Sequence, residues 1–329
     1  MIPQSPIVTI FGGSGFIGRY IARRMARAGW RVRVAVRRPN DALFVRTFGV
    51  VGQVEPVQVN VRDDASVAAA LSGADAVVYA VGVLTPTGKQ TFDSLHVDGA
   101  ARVARLAAEA GINRLVHLSA IGADANSDSA YARTKAAGEA EVLRYQPEAI
   151  ILRPSVVFGA EDKFFNRFAG MARISPALPV IGPETRFQPV YVDDVAAAAE
   201  KALTNGVHAG IYELGGPEVD TFAGLMDRML NVIRRRRLVL SVPMPLARAM
   251  GKSFGFLHRI SGGLLSAPVT HDQVLQLGRD NVVSEDAMGF ADLGIQPTPM
   301  AAELEDYLTP YMPYGQYARL TSSAKDLRY

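Results

Sequence analysis

The chain has 329 residues, 49% of them apolar and 20% charged, with a formal net charge of +3 and no cysteine. That length holds one large domain and a smaller one, and the balance is too hydrophobic for a disordered chain. So small a charge gives no reason to expect a nucleic-acid partner, and the missing cysteines exclude disulfides, thiolate metal sites and a cysteine nucleophile.

The five histidines show neither HxxxH nor HxH spacing, so no metal centre is expected. No apolar run reaches the roughly eighteen residues that a membrane-spanning helix needs. The first strand-like run, IVTIF at 7–11, begins after six residues, which leaves no room for a presequence and predicts a chain that is cytosolic or already processed.

IVTIF leads into GGSGFIG and then RYIARRMARAGW, where Ile17, Ile21 and Met25 recur at helical spacing until Gly29. The alternating run RVRVAV at 31–36 predicts the next strand. Strand, glycine turn, helix and strand within about thirty residues make the unit that binds a dinucleotide. Gly12 is expected to permit the sharp turn, Gly15 to let backbone approach a pyrophosphate, and Gly18 to let the helix pack on the sheet. The turn Gly12, Gly13, Ser14 and Gly15, with Phe16, Ile17 and Gly18 of the first helical turn, then offers free N–H groups and the positive helix end to the phosphates.

After the second strand, where a carboxylate would accept from a ribose 2′-hydroxyl, stand Arg37 and Arg38. Two guanidiniums favour a 2′-phosphate, hence NADP(H) over NAD(H); the alternative is a pair of solvated loop arginines. PVQV near 56–59, AVVYAV at 76–81, RLVHLS at 114–119 and AIILRPS at 149–155 alternate with helical patterns. Such alternation predicts an α/β fold, a doubly wound parallel Rossmann sheet with a smaller mixed C-terminal domain.

With GGSGFIG, the turn Asn60-Val61-Arg62-Asp63, YAVG at 79–82, HLSAIGA at 117–123 and YxxxK at 131–135, the first half resembles the short-chain dehydrogenase/reductase superfamily. RPSVVFG at 153–159 and QPVYVDDVA at 188–196 resemble its extended and atypical branches. That resemblance implies further nucleotide contacts at Asn60, Val61, Ala80, Val81, Gly82, Leu118, Ser119, Tyr131, Lys135, Pro154, Ser155 and Val156. It divides the chain into a nucleotide domain (1–160 and 186–214) and a smaller C-terminal domain (161–185 and 215–329).

FAGLMDRMLNVIRRRR, THDQVLQLGRDNVVS at 270–284 and FADLGIQPTPMAAELEDYL resemble the nucleotide-binding accessory subunits of respiratory complex I, the NADH:ubiquinone oxidoreductase. The resemblance implies a tightly held NADPH and a non-catalytic, stabilising place on the peripheral arm. Its partners would be subunits beside the quinone-binding module, close to the membrane. The corresponding location is the cytoplasmic face of a bacterial inner membrane, or the matrix side in a mitochondrion.

In active members of the superfamily, the tyrosine exchanges a proton with substrate while the lysine lowers its pKa and holds the nicotinamide ribose. Tyr131 and Lys135, four apart on one helix face, are candidates for those roles. Ser119 is a candidate third group, but extended members place the catalytic hydroxyl two residues later, where this chain has Ile121; Ser127 and Ser129 are substitutes. The expectation is therefore a nucleotide clamp, with a free NADP-dependent reductase, epimerase or dehydratase as the alternative.

In the second half, Phe164, Phe165 and Phe168 at near-helical spacing are expected in the core. RRRR at 234–237 ends a predicted helix and is either a solvated helix end or a contact to an acidic partner or lipid. Leu246, Met250, Phe254 and Leu257, with Arg248, Lys252 and Arg259 between them, make a cationic amphipathic stripe within 243–260. It either packs on its own domain or rests on a partner or membrane surface. The tyrosine-rich tail from Pro310 reads as an extended arm or a disordered end.

Overall fold

Short runs rich in Val, Ile and Leu, buried on both faces, suit a parallel sheet held between two helical layers. The computed structural model describes residues 5–204, 206–249, 270–313 and 315. In it the strands β1 (Ile7–Phe11), β2 (Arg31–Val36), β3 (Val54–Gln58), β4 (Ala76–Tyr79), β5 (Leu115–Leu118), β6 (Ile150–Pro154) and β7 (Gly210–Leu214) form one sheet. Their order is β7-β6-β5-β4-β1-β2-β3, and every neighbouring pair runs parallel. The order reverses between β1 and β4, which opens a crevice beyond their C-terminal ends.

The chain divides into two compact units. Residues 1–154, 192–214 and 283–296 make the first, which contains the whole sheet. One face carries α1 (Phe16–Arg27) and α5 (Val192–Thr204), tied by Arg24, which donates to Asp193 at 2.7 and 3.1 Å and to Glu200 at 3.1 Å. The other carries α2 (Asp64–Leu71), α3 (Asp98–Glu109) and α4 (Ala130–Tyr145). Their small and β-branched inner residues, among them Val67, Val103, Ala104, Ala107 and Val142, pack with Phe11, Val77 and Ile151 of the sheet. The strands expected at 76–81 and 114–119 end earlier, at Tyr79 and Leu118. Ala80 and Ser119 still give their N–H groups to the Phe11 and Leu152 carbonyl oxygens, at 2.9 and 2.7 Å, one residue past the strand ends.

The second unit contains residues 155–191, 215–282 and 297–329. Its core joins Phe158, Phe165, Phe187, Phe222, Met226, Met229 and Leu308. Phe165 is fully buried, while Phe164 stacks on Phe222 at 5.6 Å and Phe168 meets the same ring edge-on at 5.4 Å, so all three belong to the core. A helix at Phe222–Val232 stops before the arginine run, and Arg234 takes a left-handed backbone (φ 53°). Met250, Lys252, Phe254, Leu257 and Arg259 of the cationic stripe lie outside the described residues, as do 314 and 316–329 of the tail. No helix among the described residues is long and apolar enough to cross a membrane.

Candidate functional site

The glycine turn leaves β1 at the point where the strand order reverses. Gly12 has φ 80°, and a Cβ there would come within 2.7 Å of the Ala80 carbonyl oxygen, so no side chain fits between β1's turn and the end of β4. A Cβ on Gly18 would strike the carbonyl oxygen of Gly12 and the Cα of Gly13, so this glycine lets the helix close on its own turn. That corrects the expected reason for Gly18, which was contact with the sheet; packing against strand residues falls to Gly13, beside Ile10 and Val34. Gly15 is exposed and caps α1 without a side-chain hydrogen bond. The N–H groups of Phe16 and Ile17 in the first turn, half-buried beside Ser14, have no acceptor within the helix, and this cradle fits a pyrophosphate.

The Gly12 N–H donates to the Ala35 carbonyl oxygen at 3.1 Å, which sets the turn beside the end of β2. Arg37 and Arg38 follow, both exposed; Arg38 has only a loose pairing with Asp41 at 4.0 Å. Arg19 donates to the carbonyl oxygens of Ser14 and Gly15 and lies 4.8 Å from the centre of the Phe44 ring. Sequence spacing did not single out this third cation. Asn60 shapes the next loop, where its side chain accepts from the Arg62 N–H at 3.2 Å beside Val61.

Tyr131 and Lys135 stand on α4, whose Ser129 accepts from the Ala132 N–H as its N-cap. Lys135 is buried, donates from Nζ to the Leu118 carbonyl oxygen at 3.0 Å, and has Nζ 5.9 Å from the Tyr131 ring centre. Burial pushes its pKa down to about 8, against the opposing pull of Glu139. A side chain at Gly82 would lie 3.7 Å from Lys135 Nζ and 3.6 Å from His96 Nε2, so the segment Ala80, Val81 and Gly82 passes directly over both.

His96 comes from a π-helical turn, Asp93–Val97, that feeds α3. Its Nε2 accepts from the Val83 N–H at 3.2 Å, and Nδ1 lies 3.1 Å from Thr134 Oγ1. An acceptor Nε2 places the ring proton on Nδ1, so the imidazole is neutral, and burial with Lys135 nearby lowers its pKa to about 3. The ring meets Tyr131 edge-on at 5.3 Å and stacks on Phe92 at 5.4 Å. A lone histidine carries no sequence signal for this role.

Ser119 is committed elsewhere. Its hydroxyl donates to the buried carboxylate of Glu139, which Arg153 grips through Nε (2.9 Å) and Nη2 (2.6 Å). Arg153 also reaches Glu213 at 3.4 Å, and Glu213 accepts from the Ser284 N–H at 2.9 Å. Ile121 gives its N–H to the Pro154 carbonyl oxygen at 3.0 Å. Pro154 ends the first segment of the first unit; Ser155 and Val156 belong to the second, where Ser155 Oγ and the Val156 N–H both bond the side-chain oxygen of Asn281 (2.7 and 3.1 Å). The first unit thus gathers the glycine turn, the β2 arginines and the tyrosine–lysine helix around one crevice.

Residues 8–215 match the NAD dependent epimerase/dehydratase family. The chain is similar to "NADH dehydrogenase [ubiquinone] 1 alpha subcomplex subunit 9, mitochondrial" of Arabidopsis thaliana, 35% identical over 97% of this chain and 81% of the relative. It is also similar to "Ceramide reductase" of Caulobacter vibrioides, 31% identical over 73% of this chain and 74% of the relative. Among solved structures, dTDP-glucose 4,6-dehydratase of Bacillus anthracis, in complex with NAD, shares the fold with a TM-score of 0.71. The two are 15% identical, over 93% of this chain and 96% of that one. The chain belongs to the NAD dependent epimerase/dehydratase family and, within it, to the branch of the alpha-subcomplex subunit 9 of NADH dehydrogenase [ubiquinone].

Proposed function

We propose that this protein is a non-catalytic accessory subunit of respiratory complex I that holds NADPH as part of its fold. The observation that carries the reading is the state of Ser119. Its hydroxyl donates to Glu139, and position 121 is isoleucine, so neither supplies the group that would orient a substrate oxygen. The likeness to alpha-subcomplex subunits over nearly the whole chain supports the assembly. The partners in this reading are subunits around the quinone-binding module. The location is peripheral, on the cytoplasmic face of a bacterial inner membrane or the matrix side of a mitochondrial one.

The nucleotide, when bound, supplies hydride chemistry at its nicotinamide ring. The chain's part is to hold it. Gly12 to Gly18 receive the pyrophosphate, Arg37 and Arg38 the 2′-phosphate, and Lys135 with Tyr131 the nicotinamide ribose. A ligand bound only by the folded chain adds to its stability by mass action. Mass spectrometry of nucleotide released from native protein is expected to give NADPH near one per chain. Replacing Arg37 and Arg38 together by serine should weaken NADPH by roughly ten- to a hundredfold and leave NADH unchanged. Protein isolated without nucleotide and indifferent to added NADPH defeats the cofactor reading. Failure to co-fractionate with complex I subunits from native membranes defeats the assembly reading.

A second reading rests on the intact Tyr131–Lys135 pair and the likeness to a ceramide reductase: a free NADP-dependent reductase. It requires that Tyr131→Phe abolish turnover while nucleotide binding survives.

A further inference from the structure

The segment that crosses the tyrosine–lysine end of the crevice is pinned on either side of Lys135. On one side the Ala80 N–H donates to the Phe11 carbonyl oxygen at 2.9 Å, just past β4. On the other the Val83 N–H donates to His96 Nε2 at 3.2 Å. Val81 and Gly82, between these points, make no backbone hydrogen bond among the described residues. The height of this bridge above Lys135 therefore depends on where the imidazole of His96 stands.

That ring is braced against α4. A Cβ on Gly138 would strike the His96 carbonyl oxygen, so the helix and the π-helical turn approach as closely as backbone allows. The Nδ1 proton goes to Thr134 Oγ1 at 3.1 Å, and that hydroxyl in turn donates to the Ala130 carbonyl oxygen at 2.9 Å. Phe92 covers one ring face, and Tyr131 meets the ring edge-on. One rigid side chain thus spans from the bridge at Val83 to the helix that carries Tyr131 and Lys135. Lys135 Nζ uses one of its three donors on the Leu118 carbonyl oxygen, and a Cβ on Gly82 would lie 3.7 Å from the same nitrogen. Bare backbone over an ammonium makes a slot for a ligand hydroxyl.

We propose that His96 is a positioning residue, a strut that sets the distance between the bridge at 80–83 and the Tyr131–Lys135 face, and with it the width of the slot that receives the nicotinamide ribose. The inference rests on the cofactor reading above and adds the residue that gives the clamp its width. Imidazole suits the task because its two nitrogens lie at a fixed separation in one plane. An acceptor aimed at Val83 and a donor aimed at Thr134 are then held together without a flexible chain between them. Both bonds need the neutral ring, the form that burial favours here. Amide side chains reproduce one end each: glutamine can place its oxygen near the Nε2 position, asparagine its nitrogen near Nδ1.

The test is calorimetric titration of the full chain, freed of nucleotide, with two ligands. NADPH spans the crevice, whereas adenosine 2′,5′-bisphosphate carries only the adenosine end and does not enter the ribose slot. His96→Phe keeps the ring packing and should weaken NADPH roughly tenfold while leaving the bisphosphate unchanged. His96→Asn should resemble it, and His96→Gln should return to within about threefold of the parent. Thr134→Val removes the partner of Nδ1 and should weaken NADPH about threefold, again sparing the bisphosphate; it carries the comparison should His96→Phe not fold. Equal weakening of both ligands, which a merely structural role would give, overturns the proposal. So does NADPH binding unchanged in His96→Phe or, where that chain does not fold, in Thr134→Val; so does a glutamine variant as weak as the phenylalanine one. A parent chain that binds neither ligand defeats the cofactor reading and this inference with it, whereas a parent that binds both beside indifferent variants defeats this inference alone.

Discussion

The two ends of the crevice in the first unit are built from different materials. At the glycine turn the work is done by backbone: a left-handed Gly12, an uncapped helix start and carbonyls packed too closely for any Cβ. At the tyrosine–lysine end it is done by buried titratable side chains, of which Lys135, His96 and Glu139 are hydrogen-bonded to other parts of the chain and His117 is held by burial alone against Tyr79. The first end tolerates no added atoms, whereas the second tolerates no unbalanced charge. A phosphate cradle can be dismantled by steric change and a proton-bearing cluster by electrostatic change.

The largest expected effect follows from the second end. Glu139→Gln takes away the negative charge that Arg153 grips and turns one of its two acceptor oxygens into an NH2 donor facing a guanidinium or a hydroxyl, while the remaining carboxylate partner of Arg153, Glu213, stays 3.4 Å away. Uncoupling a buried pair in this way costs about 3 kcal/mol. Urea unfolding would register it as a lower midpoint at unchanged slope; an unchanged midpoint would show that solvent already screens the pair.

Gly12→Ala probes the first end by sterics alone. The added methyl meets Ala80 and Val81 backbone, and φ 80° is unfavourable for alanine, so stability should fall by roughly 1–3 kcal/mol. The comparison sharpens if NADPH binding is lost as well. A variant that folds and binds NADPH as before would remove the turn from the site.

The contrast also explains what could be read from sequence. Glycines at fixed offsets after a β-rich run carry their meaning locally, because turn geometry depends on neighbouring residues, so the strand–turn–helix unit, the sheet class and the tyrosine–lysine face were all legible. His96 and the Ser119–Glu139–Arg153 network were not. They join residues 13 to 60 positions apart through the topology of a parallel sheet, and no spacing rule encodes that. Gly18 was read for the right element and the wrong neighbour for the same reason: the turn folds back on itself. In the second unit, the phenylalanine spacing predicted burial correctly, while exposure of Leu238 and Leu240 depends on which face of the two-stranded sheet of Ala177–Ile181 and Leu238–Val242 finds a helix. An apolar strand alone does not reveal that.

The smallest predicted effect tests the cost of the buried histidines. His117 is fully buried, stacks on Tyr79 at 5.6 Å, and neither ring nitrogen has a hydrogen-bond partner among the described residues. Burial, then the neighbouring Lys135 and His96, hold its pKa well below the usual value. A base with a depressed folded pKa is neutral in the native state, so below about pH 6.5 the unfolded chain binds the extra proton and stability falls with pH. His96 behaves likewise, between 6.5 and its folded value of about 3. Lys135 contributes in a different window: its stabilising share is complete above 10.5 and is lost as pH falls through about 8, leaving the acid limb to the histidines. Phenylalanine at 117 keeps the stack and removes both unpartnered nitrogens and the proton. His117→Phe should therefore be more stable than the parent by about 1 kcal/mol at pH 7, with the gap widening by roughly another 1 kcal/mol at pH 5.5. His96→Phe should instead lose stability at pH 7, because it abandons the Val83 N–H and Thr134. Thermal unfolding at the two pH values separates these outcomes, and a His117→Phe chain no more acid-resistant than the parent would mean that water reaches the ring.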